Sequence, residues 1–333
     1  MSEANRGSWG VVPPHETRMS LHPVVETRSH EVTVRRLTDV TVLAEGLEFP
    51  EGPVALGDGS VLVTEIAGGR LTRVRPDGTK DVAAVTGGGP NGAAIGPDGL
   101  VYVCNNGGKW PDVWQGGRME RVDLDRGTTE ILFTQCDGRP LSGPNDIVFD
   151  AEGGYWFTDT GKIQGRRRDL GSLFYVTPDG EIQEAIHPAE TPNGVGLSPG
   201  DGRLYYAETA TARLIGRDLT APGTLDDAPP RDPSTLTGQL PGLAYFDSLA
   251  LDAAGNVCVG TLIQGGVTVI SPDGARITKY LLPDELADRM VTNICFGGPD
   301  MSTAYLTLAE HGRLVSCPWP EPGLPLHFQQ GVR

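Results

Sequence analysis

Short apolar tracts alternate with Gly, Asp and Pro punctuation along most of this chain. Representative tracts are SVLVTEI, GLVYVCN, GGYWFTD, GRLYYAE, NVCVGTL and STAYLTL. They are rich in β-branched and aromatic residues and too short for helices, so each predicts a strand. Turns of the PDG type between them predict hairpins. A recurring phrase precedes each tract: FPEGPVALGDG, GPNGAAIGPDG, GPNDIVFDAEG, TPNGVGLSPGDG, FDSLALDAAGN and TNICFGGPDM. In register, these phrases stack Glu51, Asn91, Asn145, Asn193, Asp247 and Asn293. Repetition at roughly 40 to 55 residues marks a propeller or solenoid. Each unit reads strand, turn, strand, turn, strand, with room for a fourth strand, which is one propeller blade. The expected fold is therefore all-β, a six-bladed β-propeller. The first strand of each blade lines the central channel, so the six stacked residues should converge on one face.

A propeller closes its ring by pairing an N-terminal strand with the last blade, and EVTVRRLTDVTVLAEGL at residues 31–47 is the expected closing strand. The chain then divides into an N-terminal arm over 1–30, disordered or packed outside, a propeller over 31–320, and a C-terminal tail over 321–333. The Pro-, Asp- and Thr-rich segment 222–242 is expected to form a long loop on the face carrying the six residues. Trp110 and Trp114 stand close together in the insertion GGKWPDVWQGGRME, as loop anchors or as an apolar wall. Substrate access should be shaped by residues 108–118, 160–170 and 222–242.

Composition narrows the function. Among 333 residues, 46 Gly and 27 Pro supply the turns of a many-stranded fold. A net charge of −16 argues against nucleic acid as a partner. No apolar stretch reaches the length of a membrane span, and the first residues lack the apolar centre of a signal peptide. Five cysteines (Cys104, Cys136, Cys258, Cys295 and Cys317), with no CxxC spacing, fit reduced thiols in a cytoplasmic protein. Oligomeric state is not encoded in any pattern we can read.

The six stacked residues carry the chemistry. Taken singly, an Asn or Asp before a strand is explained by turn geometry. Six in register, two of them acidic, are not, because uncompensated carboxylates in a channel are costly without a cation. A hard divalent ion takes six to eight oxygens from carboxylates, amides and water. Glu51 and Asp247 offer charge, and Asn145 and Asn193 offer neutral oxygens. The expected cofactor is one divalent metal ion in the central channel, calcium first, with zinc, manganese or magnesium as alternatives.

The phrases PEGP, SGPNDIVFDAEGGYWFTDT, TPNGVGLSPGDGRLYYAET and DSLALDAAGNVCVG resemble the senescence marker protein/gluconolactonase/luciferin-regenerating-enzyme-like family over about residues 40–317. The resemblance implies a metal on Glu51, Asn145, Asn193 and Asp247, with Asn91 and Asn293 as outer-shell or substrate-contacting groups. It also implies a small-molecule substrate, a sugar lactone or another small lactone, opened by hydrolysis. Asp247 is the expected general base or nucleophile and Glu51 the structural ligand, because one acidic ligand has that role in related propellers; water activated by the metal itself is the alternative. Where sugar-lactone-hydrolysing animal members carry an Arg, this chain has Gly143. A TDPPYG-like segment is replaced by TDTGKIQG, channel His pairs have no counterpart, and Cys295 stands where related phosphotriesterases carry a His. The alternatives are another reaction on the same metal (isomerisation, carbon–carbon chemistry or phosphotriester hydrolysis) and a non-enzymatic binding propeller. Other residues are secondary: Asp146 stands between a turn carboxylate and a neighbour of the metal, and His311 reads as a packing or surface residue. Arg166, Arg167 and Arg168 read as a solvated loop or a lid attracting carboxylates. Ser142 and Ser248 lack the partners of a serine nucleophile.

Overall fold

The computed structural model describes residues 31–108, 113–229 and 232–329. The arm over 1–30 and Trp110 lie outside the described residues. Six antiparallel sheets stand around one axis, because the apolar tracts of each repeat pair as successive hairpins. From the axis outward, blade 1 is Pro50–Ala55, Val61–Glu65, Arg70–Val74 and Lys80–Val85, and blade 2 is Pro90–Ile95, Val101–Asn105, Arg118–Asp123 and Thr128–Phe133. Blade 3 is Pro144–Phe149, Tyr155–Asp159, Gly171–Val176 and Ile182–Ala189. Blade 4 is Pro192–Leu197, Arg203–Glu208, Arg213–Ala221 and, outermost, Leu236–Gln239, with Thr224–Leu225 extending the third strand's hairpin. Blade 5 is Tyr245–Leu251, Val257–Leu262, Val267–Ile270 and Ile277–Leu281. Blade 6 is Val291–Gly297, Thr303–Leu308 and Arg313–Pro318. The innermost strands contact one another in a closed cycle, blade 6 meeting blade 1.

Two features differ from the sequence expectation. The segment 31–47 does not form one closing strand. Thr41–Ala44 is the outer strand of blade 6 and closes the ring, antiparallel to Arg313–Pro318. Val32–Arg36 instead adds a parallel fifth strand to blade 5. The interval 37–40, with Asp39 at φ 55°, breaks the strand between them. The second difference concerns 222–242. In blade 4 the third strand begins opposite Glu208, at the face carrying the stacked residues, and runs away from it. The segment after that strand therefore emerges at the opposite face, where Gly223 packs against Tyr175. It forms a short hairpin, a 3-10 turn at Pro233–Thr235 and the blade's outer strand, so it does not roof the site.

Residues 321–329 are not loose. Leu324 N–H donates to Leu251 O at 2.9 Å, Gly323 N–H to Met301 O at 2.8 Å, and Gln329 Nε2 to Phe296 O at 2.8 Å. These acceptors lie at or beyond the far ends of inner strands, so the tail covers the channel at the end away from the stacked residues.

The core lies between blades. Phe157, fully buried, stacks on Phe174 with ring centroids 4.9 Å apart. Phe157→Ala is expected to destabilise the fold by about 3–5 kcal/mol and to lower the thermal midpoint by about 5 °C or more. An unchanged midpoint in a melting experiment contradicts this packing.

Candidate metal centre and active site

Each inner strand breaks register with its neighbour at the stacked residue. The shifts fall between Glu51 and Val54, Pro90 and Ala93, Pro144 and Ile147, Pro192 and Val195, Phe246 and Leu249, and Val291 and Asn293. A bulge re-aims a side chain that a regular pleat would send elsewhere. Six bulges at equivalent heights thus place six polar side chains near the axis, all buried. Glycine permits the close approach of neighbouring blades. A Cβ on Gly52, at φ +45°, would collide with Asn91 O, and one on Gly194 would lie 2.6 Å from Leu249 N. Thr64 Oγ1 donates to Asn91 O and Thr158 Oγ1 to Asn193 O, both at 2.6 Å, which ties second strands to the next blade's inner strand.

The electrostatics are those of an acidic pocket: no arginine or lysine among the described residues acts appreciably on Glu51, Asp146 or Asp247. Burial drives the Glu51 carboxyl well above the ordinary range, and Asp247 and Asp146 add to the shift. Against it, Glu51 Oε2 accepts from Asn293 Nδ2 and Gly52 N–H, both at 3.1 Å. Burial lifts Asp247 to about 7, opposed in part by the Asn193 side chain and the Ser248 N–H. Asp146 is also lifted to about 7 by burial, although Ile147 N–H at 3.0 Å and Val195 N–H at 3.1 Å donate to it. Desolvation that outweighs these hydrogen bonds is the signature of carboxyls lacking a positive partner.

The amides complete the set. Asn91 Oδ1 and Asn145 Oδ1 are buried with no hydrogen-bond partner. Asn193 is held by Nδ2 donating to Thr209 Oγ1 at 3.0 Å, and its Oδ1 accepts from Ser248 Oγ at 3.3 Å. Asn293 Oδ1 accepts from its neighbour Ile294 N–H at 2.7 Å, so its amide turns NH₂ rather than oxygen toward Glu51. Orphan amide oxygens beside buried carboxyls are what a hard cation satisfies. The residues present therefore fit a divalent ion, with Glu51, Asn145, Asn193 and Asp247 able to hold it.

Asp146 is a third buried carboxyl beside the axis: it lines the axial cavity together with Asn293 and raises both Glu51 and Asp247 electrostatically. The sequence left Asp146 between a turn carboxylate and a neighbour of the metal; the equivalent place in blades 1, 2 and 4 is Gly, which sets it apart. Below it, an apolar cavity runs along the axis past Ile147, Val195 and Leu249 to Leu324 and Leu326 of the tail. Cys295 lines this cavity, its thiol pushed up to about 12 by burial, which removes it as a nucleophile. All five cysteines are free.

Several other residues fall outside the centre. Ser142 Oγ donates to Asp169 at 3.0 Å, and neither Ser142 nor Ser248 meets a histidine. The described histidines, His187, His311 and His327, bond to Ser172, Asp288 and Asp201. Asp288, Glu310 and His311 bring three possible metal donors together, but Asp288 is already engaged by Met290 N–H at 2.7 Å and His311 N–H at 3.1 Å, and Glu310 pairs with Arg289. Trp114 is a loop anchor: its Nε1 donates to Asn106 O and Ser142 O, each at 3.1 Å, pinning blade 2 to blade 3.

Residues 49–310 match the SMP-30/gluconolactonase/LRE-like region, and the chain belongs to that family. It is 29% identical over 269 residues to lactonase drp35 of Staphylococcus saprophyticus, covering 79% of each chain. It is 23% identical over 292 residues to the gluconolactonase of Zymomonas mobilis, covering 78% of this chain and 76% of that one. Among solved structures, regucalcin of Agrobacterium tumefaciens, a calcium-binding protein, superposes with a TM-score of 0.71 at 20% identity, covering 89% of this chain and 99% of that one. At that identity the likeness concerns the fold. Among the described residues no helix is long and apolar enough to cross a membrane.

Proposed function

We propose that this protein is a metal-dependent hydrolase that opens small lactones, with one divalent ion, calcium first, held by Glu51, Asn145, Asn193 and Asp247. The observation that carries this is the pairing of two buried acids with buried, unpartnered amide oxygen on one axis. Membership of a family whose relatives include a lactonase and a gluconolactonase supports the substrate class. The free cysteines support a cytoplasmic location.

When bound, a divalent ion supplies Lewis acidity toward the lactone carbonyl and stabilises charge that develops on its oxygen. The chain's own residues handle the rest. Asp247 takes a proton from the attacking water as that oxygen bonds to the carbonyl carbon. The ring C–O bond then breaks, and the proton passes to the departing alkoxide. Burial raises the Asp247 carboxyl in the metal-free chain, and a bound cation would hold it as the carboxylate that a base requires. Glu51, restrained by Asn293 and Gly52, holds charge and position. Asn91 and the remaining N–H of Asn293 orient the lactone.

The test is proton release over a panel of lactones, followed in weak buffer with an indicator, with and without chelator. Each ester opened at neutral pH yields a hydroxy-carboxylate and one proton. Turnover of at least one lactone, lost with chelator and restored by calcium, is the expected result. No proton release from any lactone, with metal bound, assigns the centre to a different reaction.

A further inference from the structure

The connection between the second and third strands of blade 3 leaves the face that carries the centre, since Asp159 pairs with Pro144 beside Asn145. It holds Lys162 and then a small hairpin, Ile163–Gln164 paired with Arg167–Arg168. The Lys162 side chain does not turn out to solvent. Its Cε lies 3.4 Å from where a Cβ on Gly143 would stand, and its Nζ donates to Gly108 O of blade 2 at 3.2 Å. Gly143 precedes Asn145 by two residues, as Gly89 precedes Asn91, and a Cβ on Gly89 would lie 3.0 Å from Gly108 N. Lys162 thus spans from the loop leading into the Asn145 strand to a loop of blade 2 packed against the entry of the Asn91 strand, and both of those amide oxygens are unpartnered.

Its ammonium is underused. Gly108 O is its one hydrogen-bond partner among the described residues, leaving two donors, and it forms no ion pair there. Asp159 is near enough to act on it electrostatically, yet the Asp159 oxygens are committed to Ser142, Gly143 and Gly161 N–H groups at 2.7, 2.7 and 2.8 Å. Burial pulls the Lys162 pKa down, as for an amine short of compensating charge. Above it, Arg166 and Arg167 are exposed, with no ion pair among the described residues, on a protein of net charge −16. A cationic lip on an acidic molecule draws anions to the mouth it borders.

We propose that Lys162 is a substrate-binding residue that selects lactones carrying a second, ring-external carboxylate, with Arg166 and Arg167 guiding that anion inward. The substrate class rests on the lactonase reading; the carboxylate contact stands on its own. One partly buried ammonium with Asp159 nearby suits a monoanion better than a dianionic phosphate.

The test measures binding of tetrahydrofuran-2-carboxylate, a ring without an ester, to the calcium-loaded full chain by calorimetry, with tetrahydrofurfuryl alcohol as the neutral control. Wild type is expected to prefer the carboxylate. Lys162→Met should weaken the carboxylate about tenfold or more, the scale of a lost charged hydrogen bond, and leave the alcohol unchanged. Lys162→Arg should retain most of the preference. Equal weakening of both probes by Lys162→Met assigns the side chain to packing and overturns the proposal. So does an unchanged carboxylate affinity, a wild type without preference, or tighter binding of inorganic phosphate than of the carboxylate. Lys162-dependent binding in a protein that opens no lactone removes the lactonase reading and leaves this contact standing.

Discussion

Asp247→Asn is expected to lower lactone turnover by about three orders of magnitude, the scale of losing a general base, while the variant still folds. Asn keeps the shape and the hydrogen-bond reach of Asp but neither the negative charge nor the ability to accept a proton. Asp247 is buried and sits in the bulge of blade 5; its neighbours Glu51 and Asp146 are already engaged, by Asn293 and Gly52 and by Ile147 and Val195 N–H. Metal affinity should fall as well, since one of two charged ligands is gone. Titrating the variant with calcium to saturation separates the two effects: turnover should stay low after the metal is restored. An Asp247→Asn protein that retains both metal and full turnover would sink the assignment of Asp247 and leave a metal-activated water as the attacking group. Glu51→Gln should behave differently, with the metal lost first and turnover partly recovered at high calcium.

The second large effect is a coupling between pH, metal and stability. In the metal-free chain, Asp146 and Asp247 titrate near 7 and Glu51 well above its ordinary value, all raised by burial. Ordinary carboxyls in an unfolded chain titrate near 4. Between about pH 4 and 7 the native state therefore keeps protons that the unfolded state has lost. Stability of the chelated protein must fall as pH rises through that window, and it keeps falling until Glu51 has also lost its proton. Bound calcium should reverse the sign of the problem, because it would neutralise the same carboxylates and favour the folded chain. At a free concentration of a hundred times its dissociation constant it adds about 2.7 kcal/mol. Its affinity should rise with pH over the same interval as protons are displaced. Melting curves of chelated protein at pH 5 and 7.5, each repeated with calcium, check this. A chelated protein that melts higher at pH 7.5 than at 5 contradicts the account, as does a calcium affinity that is flat with pH.

The sequence carried the fold because each blade buries its strands by the same device. The oxygen-bearing residue, the apolar tract and the Gly/Asp turn recur together, and a repeat constrains every unit at once. The placement of Glu51, Asn145, Asn193 and Asp247 near the start of their inner strands was legible for the same reason. Less legible was the part that depends on direction. Segment 222–242 looks like an active-site loop by composition, yet its place is set by which way Arg213–Ala221 runs. Residues 31–47 look like one strand, yet the interval 37–40 lets the chain pass from blade 5 to blade 6. Lys162 was invisible because nothing in TDTGKIQG says that the side chain bends back over Gly143 instead of into water. Asp146 was half visible: its neighbour Asn145 marked the place, but only packing against Val195 shows that the carboxyl turns inward.

The central claim is that the axis is built around one divalent ion, and calcium titration of chelated protein at pH 8, followed by calorimetry, tests it most directly. The account predicts one high-affinity calcium per chain, with affinity reduced at least tenfold in Glu51→Gln and in Asp247→Asn, about the worth of one charged ligand contact. Wild-type protein that binds no divalent ion, or that binds it equally well in both variants, would contradict it.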